Sequence, residues 1–163
     1  SVIATEAGHI NISNKKLRPD LEGIIDRFTK ENHRAPTYED FLSGKGITYF
    51  YKALSAEINL ELSSEEILLA RGDKYSLQTI DLLNYLLSSY LRHMALVWGT
   101  QGGVLLSGSI VNTLLIEEDY HEFRNNFEDS ETMRDFMRTV PLAIVLIEEI
   151  GFEGGLELSK KLK

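Results

Sequence analysis

The sequence predicts an α/β fold that is rich in helices and holds a few buried strands. The segment from Asp73 to Trp98 carries apolar residues at helical spacing over more than half of its circumference, which is typical of a central buried helix. Two apolar runs, GGVLLSG at 102–108 and PLAIVLI at 141–147, have the length of buried strands and lie between helical segments. Strands set between helices indicate an α/β domain.

Helix-start signals define several further elements. Pro19 fits the first turn of a helix that runs to about Lys30. Thr37 is predicted to cap a short helix, with Asp40 three positions on, and Ser63 to cap another. Trp98 and the aromatic residues at 49–51 are expected in the core. The other predicted elements are an extended segment over 1–12 and helices over 44–58, 114–127, 130–138 and 151–163.

The composition is that of a soluble globular protein with one ordinary domain. The chain has 163 residues, of which 43% are hydrophobic and 26% are charged. Its formal net charge of −8 argues against nucleic-acid or anionic-membrane binding, because both need clustered positive charge. The sequence has no cysteine, which excludes disulfides, thiolate metal sites and cysteine nucleophiles. The absence of cysteine suits a reducing cytoplasm, so we expect a cytoplasmic protein.

One uncharged stretch raises the question of a membrane span. Residues 94–116 are long enough to cross a bilayer. Glycines and polar side chains cluster in the middle of this stretch, so a helix end, a turn and a buried strand explain it better. The first residues, SVIAT, lack the basic and long apolar regions of a signal peptide, and none is expected.

Two short segments carry side chains that could bind a polyhydroxylated ligand. TEAGHI holds Glu6 and His9, and YEDFLSGKG holds Glu39 and Asp40 in a first helical turn. Carboxylates accept hydroxyl protons, and an imidazole can donate or accept one. The alternative is a set of surface residues, with helix-start carboxylates where the helix dipole favours them, and spacing alone favours this alternative.

The stretch GTQGGVLLSGSIV, residues 99–111, holds four glycines at a predicted strand-to-helix turn. Such a turn lets phosphate or a nucleotide base approach the backbone. It also permits tight packing, and the pattern leaves both functions open. The stretch is neither a phosphate-binding P-loop nor a dinucleotide fingerprint. Among other candidates, His33, His93 and His121 show no metal-ligand spacing, and Ser107 and Ser109 form no nucleophile elbow.

Taken in order, these segments resemble the C-terminal half of the bacterial glucokinases, over nearly the whole chain. EAGHI is similar to the family's Glu-Gly-Gly-His segment, and HRAPTYEDFLSGKG to its segment ending Leu-Ser-Gly-Pro-Gly. VWGTQGGVLLSGSIV is similar to its Gly-Gly-Val-x-Ile-Ala-Gly-Gly-Ile-Val segment. FRNNFED and VPLAIVLI are similar to the Phe-Arg-x-x-Phe-Glu-Asp motif and the strand that follows it. The resemblance implies the C-terminal half of an actin-like ATPase (ribonuclease H-like) fold, with a small mixed sheet.

The resemblance also implies roles for individual residues. Glu6, His9 and Glu39 match positions that bind sugar hydroxyls in the family. A second set matches the segment that lines the adenosine side of the nucleotide site. These residues are Gly102, Gly103, Gly108 and Ser109.

The implied activity is transfer of a phosphoryl group from ATP, with Mg²⁺, to glucose or a related hexose, at the start of glycolysis. Family members are about twice as long. Their N-terminal half carries the first phosphate loop and the aspartate that acts as general base, so the resemblance implies no catalytic residue and no metal ligand in this chain. It implies that residues 1–163 are one domain whose partner is its own N-terminal domain. This chain alone is expected to be inactive, and the full enzyme to be a homodimer.

Departures from the family pattern keep two alternatives open. Lys45 replaces a proline, Ser109 replaces a glycine, and GFEGGLEL keeps only part of the family's last glycine-rich helix start. The first alternative is a non-catalytic sugar-binding or regulatory module, which would bind glucose but not ATP. The second is a structural or partner-binding domain that binds neither.

Overall fold

The computed structural model describes residues 5–12, 17–56, 62–115, 117–147 and 150–161, and its architecture is helix-rich α/β, as predicted. The helices are α1 (Pro19–Asn32), α2 (Tyr38–Phe41), α3 (Gly44–Ser55), α4 (Ser64–Leu69), α5 (Lys74–Trp98), α6 (Ser109–Leu114), α7 (Glu117–Glu128), α8 (Arg134–Thr139) and α9 (Ile150–Lys161). The strands are β1 (Val104–Leu106) and β2 (Leu142–Ile144), and a 3₁₀ turn spans Ala7–His9. No helix in the described ranges is long and apolar enough to cross a membrane.

The chain divides into two compact units, one up to Tyr90 and the other from Leu91 onward. The core of the first unit is built from helices α1 to α5. Its fully buried large side chains include Leu21, Ile25, Phe41, Ile47, Phe50, Ile67, Leu68, Leu82, Leu83 and Leu86. In the second unit, β1 and β2 pair in parallel, with Val104 opposite Leu142, so the described sheet is small as expected but parallel and not mixed. Its core includes Leu114, Phe123, Phe127, Met137 and Val140.

Most predicted helix starts are confirmed. Pro19 occupies the first turn of α1. Thr37 and Asp40 form a capping box at α2, and Ser63 and Glu66 form another at α4. In each box the N-cap hydroxyl accepts a hydrogen bond from the backbone N–H of the acidic residue three positions on. The carboxylate of that acidic residue accepts one from the backbone N–H of the N-cap residue. These caps satisfy donors that a helix start otherwise leaves unpaired.

A predicted helix boundary and two predicted buried positions are wrong. The helix expected to reach Ile58 ends at Ser55, because Ala56 adopts a left-handed conformation (φ 57°). Residues 57–61, 1–4 and 162–163 lie outside the described part of the chain. Trp98, expected in the core, is the last residue of α5 and is 54% exposed. Leu105, expected in a buried strand, is 74% exposed because side chains alternate between the faces of β1.

Gly46 lets the start of α3 approach the end of α2 closely. A Cβ atom at this position would lie 2.2 Å from the carbonyl oxygen of Phe41, and a backbone atom cannot move aside as the end of a flexible side chain can. The backbone N–H of Gly46 also donates to the Ser43 hydroxyl, at 3.3 Å. The glycine is therefore required by the packing of two backbones.

Replacing Gly46 with alanine is expected to lower the free energy of unfolding by at least about 2 kcal/mol, because the new methyl group overlaps the Phe41 carbonyl. Gly23→Ala in α1 is the control, since a methyl group at that position would have no atom within 4 Å. The control should raise stability by about 0.5–1 kcal/mol through helix propensity. Urea denaturation of both variants measures the difference, and equal stabilities would refute the close backbone contact.

Arg124 joins α7 to the end of α8. Its guanidinium donates to the carbonyl oxygens of Val140 (2.8 Å), Arg138 (3.1 Å) and Met137 (3.3 Å), and to Glu128 on its own helix. The last carbonyls of a helix have no partner within it, so a cation that binds several of them stabilises the helix end. The side chain also lies 5.3 Å from the ring centroid of Phe127.

Arg124→Ala is expected to destabilise the protein by about 2–3 kcal/mol, because charge-assisted hydrogen bonds to partly buried carbonyls are lost. Arg134→Ala removes a single ion pair of exposed side chains with Asp129 and should cost less than about 1 kcal/mol. Chemical denaturation compares the two variants. A smaller loss of stability in the Arg124 variant than in the Arg134 variant would contradict the capping role of Arg124.

Candidate functional site

The three residues predicted to bind sugar hydroxyls lie together in the first unit. The Nε2 atom of His9 lies 3.2 Å from Oε2 of Glu39 and 3.7 Å from Oε2 of Glu6. All three side chains are open to solvent, with 62% of His9 and 61% of Glu39 exposed. The imidazole therefore stands between two carboxylates at the surface, where a ligand can reach all three groups.

Backbone pairing brings His9 opposite Glu39. Asn11 and Thr37 form an isolated antiparallel bridge. The N–H of Ile12 donates to the carbonyl of Pro36 at 3.0 Å, and the N–H of Tyr38 donates to that of Ile10 at 3.2 Å. The bridge holds the two segments side by side. The 3₁₀ turn that ends at His9 and the helix that begins at Tyr38 flank it, and they bring His9 to 3.2 Å from Glu39.

The 3₁₀ turn sets the spacing of Glu6 and His9. With three residues per turn, positions i and i+3 lie on the same side, so both side chains face one direction. The N–H of His9 donates to the Glu6 carbonyl at 3.0 Å, and the Thr5 hydroxyl accepts from the N–H of Ala7 at 3.0 Å. A Cβ at Gly8 would lie 3.6 Å from the Cβ of Glu39, so the turn packs against the stem of that side chain.

Aromatic packing fixes the direction in which α2 presents Glu39. Tyr38 is buried, with its ring centroid 4.9 Å from that of Tyr90. Phe41 is also buried, at 5.3 Å from Phe28 in an edge-on contact. Because these two residues of the four-residue helix face the core, Glu39 is left on the outside.

Asp40, beside the site, accepts several hydrogen bonds. Its carboxylate accepts from the N–H and the hydroxyl of Thr37, both at 2.8 Å, and from two nitrogens of Arg34. The bonds from Arg34, with a smaller contribution from Thr37, hold the pKa of the Asp40 carboxyl well below its usual range. Asp40 therefore stays ionised at neutral pH.

These residues border an open cleft of about 740 Å³, a volume typical of small-ligand sites. Its lining residues are His9, Arg34, Thr37, Glu39, Asp40, Ser43, Gly44 and Lys45. Glu6 approaches the cleft through its contact with His9. Carboxylates, hydroxyl groups and an imidazole suit the hydroxyls of a sugar, because each can exchange hydrogen bonds with them.

Arg34 belongs to this cleft, although no sequence pattern predicts it there. It precedes Asp40 by six positions, which lie on different faces of a helix and are about 20 Å apart along a strand. The pairing depends on the turn after α1, where His33 adopts a left-handed conformation (φ 55°). The position of Arg34 in HRAPTYED gives no local signal for its contact with Asp40. Lys45, which departs from the family pattern, also lines the cleft.

The four residues predicted to contact a nucleotide lie in the second unit, at both ends of β1. Gly102 and Gly103 precede the strand, whereas Gly108 and Ser109 follow it at the start of α6. Gly103 has φ +108°, and a Cβ there would lie 3.1 Å from the Pro141 carbonyl oxygen. This glycine is therefore explained by the packing of the two strands, and its predicted ligand contact stays a prediction.

Gly108 adopts a conformation that is essentially restricted to glycine, with φ 125° and ψ 155°. A Cβ atom at this position would have no atom within 4 Å, so conformation and not crowding requires the glycine. The residue lies at the carboxyl end of a parallel strand. Ligands of open α/β sheets commonly bind at this edge.

Comparisons with known proteins relate the chain to one family. A model of the glucokinase family matches residues 1–161. Glucokinase from Campylobacter jejuni subsp. doylei is 30% identical over 159 residues, which cover 93% of this chain and 47% of that protein. Glucokinase from Helicobacter pylori is 29% identical over 174 residues, which cover 99% of this chain and 51% of that protein. The chain thus spans about half the length of these relatives.

Solved structures extend the likeness to the fold. A glucokinase from an Antarctic psychrotroph superposes with a TM-score of 0.76 at 25% identity, over 92% of this chain and 48% of that one. The glucokinase of Balamuthia mandrillaris, solved with glucose, superposes with a TM-score of 0.74 at 20% identity, over 87% of this chain and 42% of that one. Since the family model covers nearly the whole chain, the chain belongs to the glucokinase family.

Proposed function

We propose that this chain is the C-terminal, sugar- and adenosine-binding domain of an ATP-dependent glucokinase. The full-length enzyme transfers the γ-phosphoryl group of MgATP to the 6-hydroxyl of glucose, the entry reaction of glycolysis, in the cytoplasm. The observation that carries this proposal is the convergence of His9 and Glu39 from segments 30 positions apart in the sequence. Family membership and the glucose complex of a protein with the same fold support it.

In this mechanism, the cleft residues bind and orient the sugar. Glu39 and Glu6 accept hydrogen bonds from sugar hydroxyls, and His9 donates or accepts one more. Charged acceptors bind hydroxyls about twice as strongly as neutral ones, so the two carboxylates contribute most of the polar contact. Phosphoryl transfer depends mainly on positioning and charge stabilisation, so holding the sugar in one orientation is itself a catalytic contribution.

ATP enters as the substrate MgATP, and we assign its adenosine side to Gly102, Gly103, Gly108 and Ser109. Gly108 supports this assignment best, through its glycine-only conformation and the free space beside it. Across the residues that the structure describes, no group of three or more carboxylates or imidazoles could hold a metal ion. Mg²⁺ usually reaches such sites on the substrate phosphates, and we assign it no ligand in this chain.

We further propose that an N-terminal domain completes the enzyme and supplies the general base, so that residues 1–163 alone are inactive. Apolar side chains exposed on the second unit support a partner surface. Phe152 on α9 is 68% exposed and Leu105 on β1 is 74% exposed. Leu146 and Ile147 are exposed as well, and large apolar side chains that recur along one segment favour a protein contact, whereas single ones do not. The expected homodimer stays a prediction.

Replacing Glu39 with glutamine in the full-length enzyme is expected to raise the KM for glucose about 10- to 100-fold, because bonds to a charged acceptor are replaced by weaker ones. The matched control is Glu65→Gln. Both residues occupy the second position of a helix that begins with a capping box, so both substitutions remove the same favourable charge near a helix start.

Steady-state kinetics with glucose and thermal melts of both variants make the comparison. The Glu65 variant should keep its KM and melt at the same temperature as the Glu39 variant. A KM for glucose that is unchanged in the Glu39 variant would exclude this cleft as the sugar site.

Gly108→Ala is expected to raise the KM for ATP at least about fivefold, with no change in glucose affinity, because alanine cannot keep the backbone at φ 125° without strain. Gly72→Ala is the control, since that glycine has an ordinary φ and free space around it. Kinetics at varied ATP and calorimetric titration with glucose test both. Glucose binding by a full-length wild-type protein that does not bind ATP would instead support a non-catalytic sugar-binding module.

A further inference from the structure

We propose that Arg34 is a positioning residue of the sugar site, which acts through Asp40 to hold Glu39 opposite His9. This inference rests on the proposed function of the cleft as a glucose site. Arg34 lines that cleft, although neither its sequence position nor the resemblance to the family assigns it a role.

Arg34 and Asp40 form a bidentate pair. Nη1 of Arg34 donates to Oδ2 of Asp40 at 2.7 Å, and Nη2 donates to Oδ1 at 2.6 Å. Two parallel hydrogen bonds fix the orientation of both planar groups, which a single bond cannot do. The guanidinium carbon also lies 5.2 Å from the ring centroid of Phe28, a buried residue of α1. The arginine therefore ties Asp40 to the core of the first unit.

Asp40 transmits this constraint to the backbone on both sides of Glu39. Its carboxylate accepts from the N–H and hydroxyl of Thr37, and Thr37 forms the bridge with Asn11. Glu39 lies between Thr37 and Asp40 in the sequence. Arg34 thus stabilises the same short segment whose pairing places Glu39 across from His9.

The charge of Arg34 serves a second purpose. Asp40 and Glu39 are adjacent and both line the cleft. Two uncompensated carboxylates in one small cleft repel each other, which favours movement of the more mobile one. Arg34 neutralises Asp40, so Glu39 can remain close to the imidazole of His9.

The capping box of α4 shows that a helix start of this kind does not itself need an arginine. There Glu66 accepts from the N–H of Ser63 at 2.7 Å, and the Ser63 hydroxyl accepts from Glu66 N at 3.2 Å. No arginine pairs with Glu66 among the described residues. The additional pair in α2 is therefore a property of the segment that borders the cleft.

The test uses the full-length enzyme with Arg34→Ala, and Arg27→Ala as a matched control. Arg27 is exposed to the same degree (49% against 51%), pairs with a carboxylate, Glu31, and lies 6.0 Å from an aromatic ring, that of Tyr49. It does not belong to the cleft lining. Arg34→Ala should raise the KM for glucose at least about fivefold and leave the KM for ATP unchanged, because only sugar positioning is lost. Arg27→Ala should change neither.

A double-mutant cycle shows whether Arg34 acts through Asp40. In an Asp40→Asn background, Arg34→Ala should have little further effect on the KM for glucose. A full additional effect would mean that Arg34 contacts the sugar directly, which overturns the positioning role. If Arg34→Ala does not fold, Arg34→Lys replaces it, and we expect an intermediate KM because lysine cannot bind both oxygens of Asp40.

The proposal is also overturned if Arg34→Ala, or Arg34→Lys in its place, changes the KM for glucose no more than Arg27→Ala does while Glu39→Gln raises it. In that case the sugar site stands and Arg34 is only structural. An unchanged KM in the Glu39 variant would instead remove the proposed function itself, so the two failures are distinguishable.

Discussion

Two backbone hydrogen bonds join the segment at residues 10–12 to the segment at residues 36–38, and the candidate sugar site depends on them. This pairing sets which residue stands across from Glu39. A shift of one residue in its register would move His9 away from Glu39. The imidazole and the carboxylate are brought together by main-chain geometry, and their own weak, exposed contact need not hold them there.

Three contacts within the first unit support this backbone pairing. Phe28 and Phe41 pack edge to face on the buried side of α2, so that the helix cannot turn its polar face inward. Gly46 lets α3 begin directly against the end of α2. The hydrogen-bonded pair of Arg34 and Asp40 stabilises the solvent-facing side of α2. A helix of four residues has little stability of its own, and these contacts with neighbouring elements keep it in place.

The sequence predicts local features well, because caps and helical periodicity are local. The capping box of Thr37 and Asp40 and the long helix α5 are examples. It does not predict the approach of His9 to Glu39 from spacing, since a pairing this short leaves no strand pattern. Only the resemblance to glucokinases joined these residues. The exposure of Trp98 could not be predicted either, because hydrophobicity indicates a need for burial but does not identify the covering partner.

We have proposed that glucose binds between His9 and Glu39. We would follow the imidazole signals by NMR in the full-length protein during a glucose titration, with the signal of His9, one of the four histidines of this chain, assigned from a His9→Gln variant. We expect the His9 signal to move most and to saturate together with glucose binding. A His9 signal that stays unmoved while calorimetry shows glucose bound would rule out this binding site.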